Sequence, residues 1–221
     1  MPAAAVSIQS VVTGLAELSP PAIETEPTLA YRGDVRPSAV LILLADGANG
    51  AEVLLTRRSM NVSSHRGEVS FPGGRIDAGE DALAAALREA HEEVGVRPDQ
   101  VTVVGQLYPI GTYVSRSWIV PIVGYVAEPL ALQARTGEVD RVFWVPLHDL
   151  TKPDTFHEEL WPTPHRDERH SGERHSGERP GHRPIFFFEL EYETVWGATA
   201  RMLHQLLRVA HRIEVDEPPA L

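Results

Sequence analysis

The stretch REAHEEVGV, residues 88–96, places three glutamates close together. Glu92 and Glu93 follow Glu89 by three and four positions, so an α-helix would carry all three on one face. Like charges at that spacing destabilise a helix by about 0.2–0.5 kcal/mol per pair. Hard cations such as Mg²⁺ bind carboxylate and carbonyl oxygens. The cluster therefore favours a divalent metal site, in which Arg88 can pair with a glutamate and orient it.

The helix that carries the glutamates is predicted to run from about Glu80 to Val94. Glu80 and Asp81 lie where the helix dipole favours negative charge, and Gly95 follows the last turn, where a C-cap glycine belongs. An apolar stripe predicts that the helix docks on a sheet, and its members are Leu83, Ala86, Leu87, Ala90 and Val94. A solvated acidic face is the alternative interpretation, but the adjacent loop FPGG favours the metal site.

The longer segment GGRIDAGEDALAAALREAHEEVGV, residues 73–96, resembles the Nudix box, G-x5-E-x7-R-E-U-x-E-E-x-G-U, in which U is aliphatic. The matching residues are Gly74, Glu80, Arg88, Glu89, Ala90, Glu92, Glu93, Gly95 and Val96. The resemblance implies a hydrolase that cleaves a nucleoside diphosphate linked to another moiety, with Mg²⁺ or Mn²⁺ as the cofactor. It also implies a Nudix-type α/β/α sandwich, in which a mixed central sheet lies between helices.

The same resemblance implies roles for individual residues. The metal ligands that it implies are Glu89, Glu92, Glu93 and the carbonyl oxygen of Gly73. A metal bound there would polarise the pyrophosphate and activate the attacking water, while Arg88 would orient a glutamate. The general base varies across the family, which leaves Glu92 in the box and Glu138 in the loop TGEVD as candidates. His91 stands at a variable position of the box and is expected on the surface.

The segment LLTRRSMNVSSHRGEVSFPGG, residues 54–74, is similar to the signature of the coenzyme A pyrophosphatase branch, LLTxRSx3Rx3Gx3FPGG. Ser63 stands where the signature has its second arginine, and Arg66, three positions on, can supply a positive charge. The resemblance implies cleavage of coenzyme A or its thioesters to 4′-phosphopantetheine, or its acyl form, and adenosine 3′,5′-bisphosphate. The expected substrate-binding residues are Arg57, Arg58, Ser59, Arg66, Gly67, Phe71 and Gly74.

Other substrates stay open because Ser63 breaks the signature. They are ADP-ribose, NADH and dinucleoside polyphosphates, all of which are nucleoside diphosphate derivatives. Tyr113 and Arg116 lie in a predicted loop between strands that could reach the ligand. An alternative of another class is a non-catalytic Nudix-fold ligand sensor, although the intact glutamates of the box favour an enzyme.

The chain has 221 residues, a formal net charge of −11 and no cysteine. The negative charge disfavours nucleic acid and anionic membranes as partners, and the family resemblance implies a small nucleotide as the ligand. The absence of cysteine excludes disulfides and thiolate metal sites. No apolar run approaches the roughly 18 residues of a membrane span, and no basic residue precedes Arg32. A cytoplasmic protein is therefore expected.

Hydrophobic periodicity predicts helices near both ends of the chain and strands between them. A helix over 7–18 and a linker make up residues 1–30, and residues 31–215 form one domain. The strands and the closing helix are predicted at 38–45, 52–58, 101–108, 117–127, 141–145, 185–191 and 195–213. This order indicates an α+β or α/β layered fold. The apolar faces of the two terminal helices could pair in a homodimer or cover the sheet.

Residues 161–184 are predicted to be a disordered loop that joins two strands. The segment repeats HSGER in tandem, and between Pro164 and Ile185 it has no apolar residue other than proline. A His-rich metal-binding tract is the alternative. Four aromatic residues are predicted to pack rather than to bind substrate, namely Trp118, Phe143, Trp144 and Trp196.

Overall fold

The computed structural model describes residues 6–18, 35–62, 65–112, 115–162 and 182–213. Within these ranges, eight strands form a mixed central sheet. They are β1 (Arg36–Gly47), β2 (Gly50–Arg58), β3 (Val69–Ser70), β4 (Gly73–Arg75), β5 (Thr102–Gln106), β6 (Ile110–Gly111), β7 (Ser117–Val126) and β8 (Val139–Pro146). The predicted hairpin is confirmed as β1 and β2, and β1 also pairs in parallel with β7.

Strand β1 lies inside the sheet because its sequence is apolar on both faces. Every residue from Leu41 to Ala45 is fully buried, as expected for a strand that is covered on both sides. Leu41 and Leu43 pack in one core, whereas Ile42 and Leu44 pack in the other. This division follows from the alternation of side chains along a strand, and it means that the sheet separates two hydrophobic layers.

Helices fill both layers. Helix α2 (Ala82–Val94) covers the Leu41 and Leu43 side of the sheet. Helices α1 (Ile8–Glu17) and α3 (Gly197–Ala210) cover the other side. The predicted α/β/α sandwich with a mixed central sheet is therefore confirmed, and so are the predicted helices near the two ends of the chain.

Helices α1 and α3 pack against each other as well as against the sheet. Val11 and Leu15 of α1 belong to the same buried cluster as Leu203 and Leu206 of α3. Gly14 lies so close to the carbonyl oxygen of Val209 that a Cβ atom there would clash with it. The apolar faces that were considered for a homodimer therefore cover the sheet, and α1 is an integral part of the layered domain.

A second sheet has three strands in the described part of the chain, β9 (Phe156–Pro162), β10 (His182–Glu189) and β11 (Thr194–Trp196). Only β10 was predicted. β9 and β10 pair antiparallel out to Pro162 and His182, so both ends of the predicted insert 161–184 are strand. Residues 163–181, which contain the HSGER repeat, lie outside the described residues. Phe188 and Val195 bury one face of this sheet in the core beneath α3.

The predicted packing of the aromatic residues is confirmed in part. Trp118 is buried, and Phe143 and Trp144 pack against the two cores while half-buried. Trp196 is 38% exposed, so it does not lie in the core; its ring stacks on Phe187 on the outer face of the second sheet. Among the helices of the described residues, none has the length and apolar character that a membrane span requires.

Candidate active site

Helix α2 ends at Val94 as predicted, and it begins at Ala82, two residues after the predicted start at about Glu80. The Asp81 carboxylate accepts a hydrogen bond of 2.7 Å from the Ala84 backbone N–H at the N-terminus, and Gly95 ends the helix with a left-handed backbone, φ 83°. The side facing the sheet is mostly alanine, with Ala82, Ala85, Ala86 and Ala90 all fully buried. These small side chains let the helix pack against β1 and β4, so Glu93 and Glu89 lie beside Gly73 and Gly74 of β4.

Among Glu89, Glu92 and Glu93, Glu93 is the one whose side chain is buried. It is 8% exposed, and its Oε2 accepts a hydrogen bond of 3.2 Å from the Gly73 backbone N–H. Gly73 is held in place because β4 pairs with β1, with Gly73 opposite Val40. A Cβ atom at Gly73 would clash with the backbone of β1, so only glycine fits where β4 crosses beside the helix.

Burial raises the pKa of Glu93 to about 7, against an ordinary value of 4.5. The Gly73 N–H and the positive charge of Arg58 act in the opposite direction, and the negative charges of Glu89 and Glu138 raise the pKa further. These four neighbours come from different segments of the chain. The fold therefore brings together the carboxylates of Glu89, Glu93 and Glu138, which we call the carboxylate cluster, and the guanidinium of Arg58.

Glu89 lies against the glycine loop. A Cβ atom at Gly74 would clash with the Glu89 carboxylate, so the glycine provides the space that this carboxylate occupies. The Glu89 side chain is 19% exposed, and its Oε1 accepts a hydrogen bond of 2.9 Å from Arg88 Nη1. Gly73 and Gly74 thus shape the pocket for Glu93 and Glu89 respectively.

Arg88 forms short hydrogen bonds with two glutamates, Glu80 and Glu89. Its Nε and Nη2 donate to the two carboxylate oxygens of Glu80 at 2.9 and 3.0 Å, and Nη2 also donates to the Arg75 carbonyl at 3.0 Å. The hydrogen bond with Glu80 raises the pKa of Arg88 and lowers that of Glu80. The sequence interpretation missed Glu80 as the main partner, although its fixed position in the box was a signal for it.

The two candidate bases occupy different environments. Glu92 is 57% exposed, and its nearest partner is Arg88 at 3.5 Å, a long contact. Glu138 is 63% exposed and lies 3.3 Å from Arg58 Nη2, while its backbone carbonyl accepts a hydrogen bond of 2.7 Å from the Ser59 N–H. Both are open to solvent, but the charge of Glu138 reaches the buried Glu93.

The loop that precedes Glu138 is attached to the end of helix α2. The Arg135 N–H donates to the Glu93 carbonyl at 2.8 Å. The Arg135 guanidinium lies over Gly95, where it would contact a Cβ atom. Sequence reasoning missed Arg135, and no local pattern connects it with the helix. Its contacts bring the loop of Glu138 beside the glutamates.

Five of the seven predicted substrate-binding residues lie either at the carboxylate cluster or in the loop between β2 and β3. Arg58 and Gly74 lie at the carboxylate cluster. Ser59 is buried, and its hydroxyl accepts the Asn61 N–H at 3.2 Å. Arg66 Nε donates to the Val62 carbonyl at 2.7 Å, and Gly67 turns the chain with φ 69°. These contacts shape the loop between β2 and β3, whereas Ser63, where the signature breaks, lies outside the described residues.

The structure contradicts two of the predicted substrate contacts. Arg57 shares the face of Leu55, opposite to Leu54 and helix α2, and its guanidinium binds Asp140 at 2.9 Å and Glu193 at 3.0 Å. Phe71 is 2% exposed and packs in the core on the α1 and α3 side. The strand alternation and the apolar environment, respectively, turn these side chains away from the cluster.

Three further residues were considered for the site. His91 is exposed, as expected, and its Nε2 lies 3.5 Å from Arg135 Nη1. Arg116 is exposed and adopts a left-handed backbone, φ 48°, at the start of β7. Tyr113 lies outside the described residues. None of the contacts in the described part of the chain brings Arg116 to the carboxylate cluster.

The donors at this site suit a hard divalent cation. In the side-chain positions of the described residues, no three acidic or histidine side chains converge at metal distance. The chemistry nevertheless fits, because Glu93 is buried among the negative charges of Glu89 and Glu138 and a cation would relieve their repulsion. Glu89, Glu92, Glu93 and the Gly73 carbonyl are the oxygens that would hold it.

The chain is similar to proteins of one family. The family model described as the NUDIX domain matches residues 35–166. The uncharacterized Nudix hydrolase NudL of Photorhabdus laumondii is 36% identical over 156 residues, 70% of this chain and 74% of that protein. Nudix hydrolase 3 of Caenorhabditis elegans is 33% identical over 189 residues, 82% of this chain and 76% of that protein. A crystal structure of a Nudix hydrolase from M. smegmatis, RenU, has 28% identity and a TM-score of 0.46 over 52% of this chain and 73% of that one.

The matched residues include everything that builds the cluster, from β1 to the loop of Glu138. Enzymes of this family generally use divalent metals such as Mg²⁺ or Mn²⁺, which agrees with the oxygen donors around Glu93. The sensor alternative has no support from relatives that are themselves named hydrolases. By the match of its family domain over more than half of its length, and by these relatives, the chain belongs to the Nudix family and is a pyrophosphohydrolase.

Proposed function

We propose that this hydrolase cleaves the pyrophosphate bond of coenzyme A or its thioesters. The observation that carries the proposal is the loop between β2 and β4, whose sequence is similar to the coenzyme A pyrophosphatase signature. In the structure, the two ends of this loop supply Arg58 and Gly74 to the carboxylate cluster. The segment that carries the substrate signature therefore borders the position where the pyrophosphate would react.

The residues of the cluster have separate tasks. Glu89, Glu92, Glu93 and the Gly73 carbonyl would hold Mg²⁺ or Mn²⁺, which supplies Lewis-acid polarisation of the phosphate and a more acidic water. Arg58 offers a positive charge to the anionic substrate, because its guanidinium faces the same side as Glu93 and Glu138. Arg88 keeps Glu89 in position through its hydrogen bonds with Glu89 and Glu80.

Glu138 is the general base that the geometry favours over Glu92. A base must reach the water that attacks the phosphate. Glu138 acts electrostatically on Glu93 and is held by Arg58 and by the Ser59 N–H. Glu92 stands on the exposed side of α2 with one long contact to Arg88. We therefore assign proton removal from the attacking water to Glu138 and a share in metal binding to Glu92.

A substrate panel tests the proposal. The purified protein is incubated with Mg²⁺ or Mn²⁺ and with coenzyme A, acetyl-coenzyme A, ADP-ribose, NADH or a dinucleoside polyphosphate. Products are identified by mass spectrometry. We expect 4′-phosphopantetheine and adenosine 3′,5′-bisphosphate from coenzyme A, with a kcat/KM above those of the other substrates. A higher kcat/KM for ADP-ribose, NADH or the dinucleotide contradicts the coenzyme A assignment and leaves the enzyme class intact.

The variant Arg58→Ala refines the substrate assignment. Arg58 is 25% exposed at the cluster, whereas Arg97 is 61% exposed beyond the end of α2 and binds Asp99. If Arg58 meets the substrate, Arg58→Ala raises KM for coenzyme A while the control Arg97→Ala leaves it unchanged. Equal KM values for both variants and the wild type would remove Arg58 from the binding site.

A further inference from the structure

We propose that Arg57, Asp140 and Glu193 form a positioning clamp that holds Glu138 at the active site from the opposite face of the sheet. The proposal rests on the proposed role of Glu138 in hydrolysis, but not on the identity of the substrate. Arg57 is the residue that was expected to contact substrate, and its partners indicate this other task. None of the three clamp residues belongs to the carboxylate cluster itself.

The clamp is built on a β-bulge. Along β2 and β8, Arg57 lies opposite Arg141, and the next residue, Arg58, lies opposite Val139. Asp140 is therefore an extra residue on β8 without a partner position on β2. A bulge of this kind bends the strand and redirects the side chains next to it. Here it occurs two residues after Glu138, so its geometry decides where Glu138 enters the strand.

Arg57 of β2 binds Asp140, the extra residue of β8. Its Nε donates to Asp140 Oδ1 at 2.9 Å, and its Nη2 approaches Asp140 Oδ2 at 3.4 Å. Two contacts between a planar guanidinium and a carboxylate fix orientation as well as distance. The pKa of Arg57 is raised chiefly by this hydrogen bond. The bulge is thus held in one conformation by a side chain of the neighbouring strand.

Glu193 ties the same arginine to the second sheet. It lies between β10 and β11, and its Oε1 accepts from Arg57 Nη1 at 3.0 Å and from Arg141 Nη1 at 2.7 Å. Its side chain is only 10% exposed. The backbone around Glu193 is closed by a hydrogen bond of 2.9 Å from the Leu190 N–H to the Glu193 carbonyl. The β10–β11 turn therefore supports both arginines on one side of the bulge.

The clamp reaches the site along both strands, through Arg58, which follows Arg57 on β2, and through Val139, which separates Asp140 from Glu138. Arg57 and Arg58 are neighbours on β2 whose side chains leave the sheet on opposite faces. Fixing Arg57 therefore limits the movement of Arg58, which binds the Glu138 carboxylate at 3.3 Å. The Ser59 N–H holds the Glu138 carbonyl at 2.7 Å. With the bulge at Asp140 also fixed, both sides of Glu138 are restrained.

The Arg57–Asp140 pair is expected to contribute little to stability. Arg57 and Asp140 are 36% and 33% exposed, and ion pairs of this exposure add little to the free energy of unfolding. A clamp that positions a reacting group acts instead on kcat. Contacts that orient metal ligands are worth roughly 10–100-fold in activity, and we expect an effect of similar size for contacts that position a base.

The test uses Asp140→Asn and Glu193→Gln, which remove charge and keep side-chain size. The matched control is Glu191→Gln, because Glu191 belongs to the same turn and, within the described residues, its carboxylate accepts from the Tyr192 hydroxyl and not from a clamp residue. We expect kcat to fall about tenfold or more in the two clamp variants, with a changed pH–rate profile. The melting temperature should be unchanged in Asp140→Asn and lower in Glu193→Gln, because Glu193 is 10% exposed and pairs with two arginines. Arg57→Lys keeps the positive charge but cannot form the two-point contact of the guanidinium with Asp140. Its activity should therefore lie above that of Arg57→Ala.

Hydrogen exchange of the Ser59 amide gives a readout without turnover. This amide donates to the Glu138 carbonyl, so it should exchange faster in Asp140→Asn than in the wild type or in Glu191→Gln. Wild-type kcat, pH profile and Ser59 protection in both clamp variants would overturn the proposal. So would a loss of activity that is accompanied by an equal loss of melting temperature and no change in the pH profile. If coenzyme A is not the substrate, the same comparison is made with the substrate that the panel identifies.

Discussion

The two faces of the central sheet are built from different parts of the chain and serve different purposes. The face under α2 is covered by a single segment that runs from the glycine loop to the end of the helix, and it holds the buried Glu93. The face under α1 and α3 is assembled from both ends of the chain, with Val11 and Leu206 in one apolar cluster. The first face holds the carboxylates of the candidate active site, and the second is mostly apolar packing.

This difference indicates which substitutions should alter activity and which should alter stability. A buried carboxylate with a raised pKa costs stability, so the α2 face retains a group that disfavours the fold. The opposite face offsets that cost through a large apolar core. Changes beside α2 should therefore alter activity more than stability, and changes between α1 and α3 should do the reverse. The clamp of Arg57, Asp140 and Glu193 is the exception, because it acts on the active site from the packing side.

The largest effect is expected from Glu93→Gln. The substitution keeps the volume and the hydrogen bond from Gly73 but removes the charge that a divalent cation requires. Metal catalysis contributes several kcal/mol, so we expect kcat to fall on the order of a thousandfold. Glu128→Gln is the control, since Glu128 is exposed at the end of β7. Near-normal activity of Glu93→Gln at saturating Mg²⁺ would show that the α2 face is not the site of chemistry.

The next effect separates the two candidate bases. General-base catalysis contributes about 100-fold or more, so Glu138→Gln should lower kcat by at least that factor. Glu92→Gln should change mainly the metal concentration that gives half-maximal rate. Steady-state rates over a Mg²⁺ titration measure both quantities. The reverse pattern, with kcat lost in Glu92→Gln and kept in Glu138→Gln, would assign the base to the box itself.

The pH dependence of stability tests whether the α2 face disfavours the fold. Burial raises the pKa of Glu93 to about 7, from 4.5. Between these values the folded protein keeps a proton that the unfolded chain has released, so the free energy of unfolding falls as the pH rises. In EDTA, Glu93→Gln should therefore be more stable than the wild type at pH 8, by roughly 3 kcal/mol, and not at pH 4.

Urea denaturation at the two pH values measures this difference. Added Mg²⁺ should restore wild-type stability at pH 8 and leave Glu93→Gln unchanged, since a ligand that binds only the folded state stabilises it. A wild type and a variant with parallel pH dependences in EDTA would mean that Glu93 is not buried in its protonated form.

The smallest effect concerns the opposite face. Gly14→Ala places a methyl group against the Val209 carbonyl and should separate α1 from α3. Overpacking outweighs the better helix propensity of alanine, so we expect a loss of about 1–2 kcal/mol in the free energy of unfolding. The control Gly137→Ala introduces a Cβ atom that meets nothing within 4 Å. An unchanged kcat for Gly14→Ala supports the division between the faces, and a large drop contradicts it.

The elements that sequence reasoning found are those with strong local patterns. The apolar run of β1, the stripe and caps of α2 and the apolar spacing of α3 are each contained within one segment. The strands β9 and β11 were missed because most of their residues are exposed or half-buried, so their apolar pattern is weak. Their pairing with β10 is a contact between distant segments that no local spacing reports.

Local spacing predicted the helix, its C-cap glycine and the glutamates that share its face, because these depend on residues within a few turns of one another. It also identified the family, because the fixed positions of the box stand in one stretch. Three features of the site depend on the tertiary structure and could not be predicted from local spacing. Glu93 is the buried carboxylate, Arg88 binds Glu80, and Arg57 faces away from the cluster toward Glu193. Burial and strand alternation depend on which segments meet, and that is set by packing across the whole sheet.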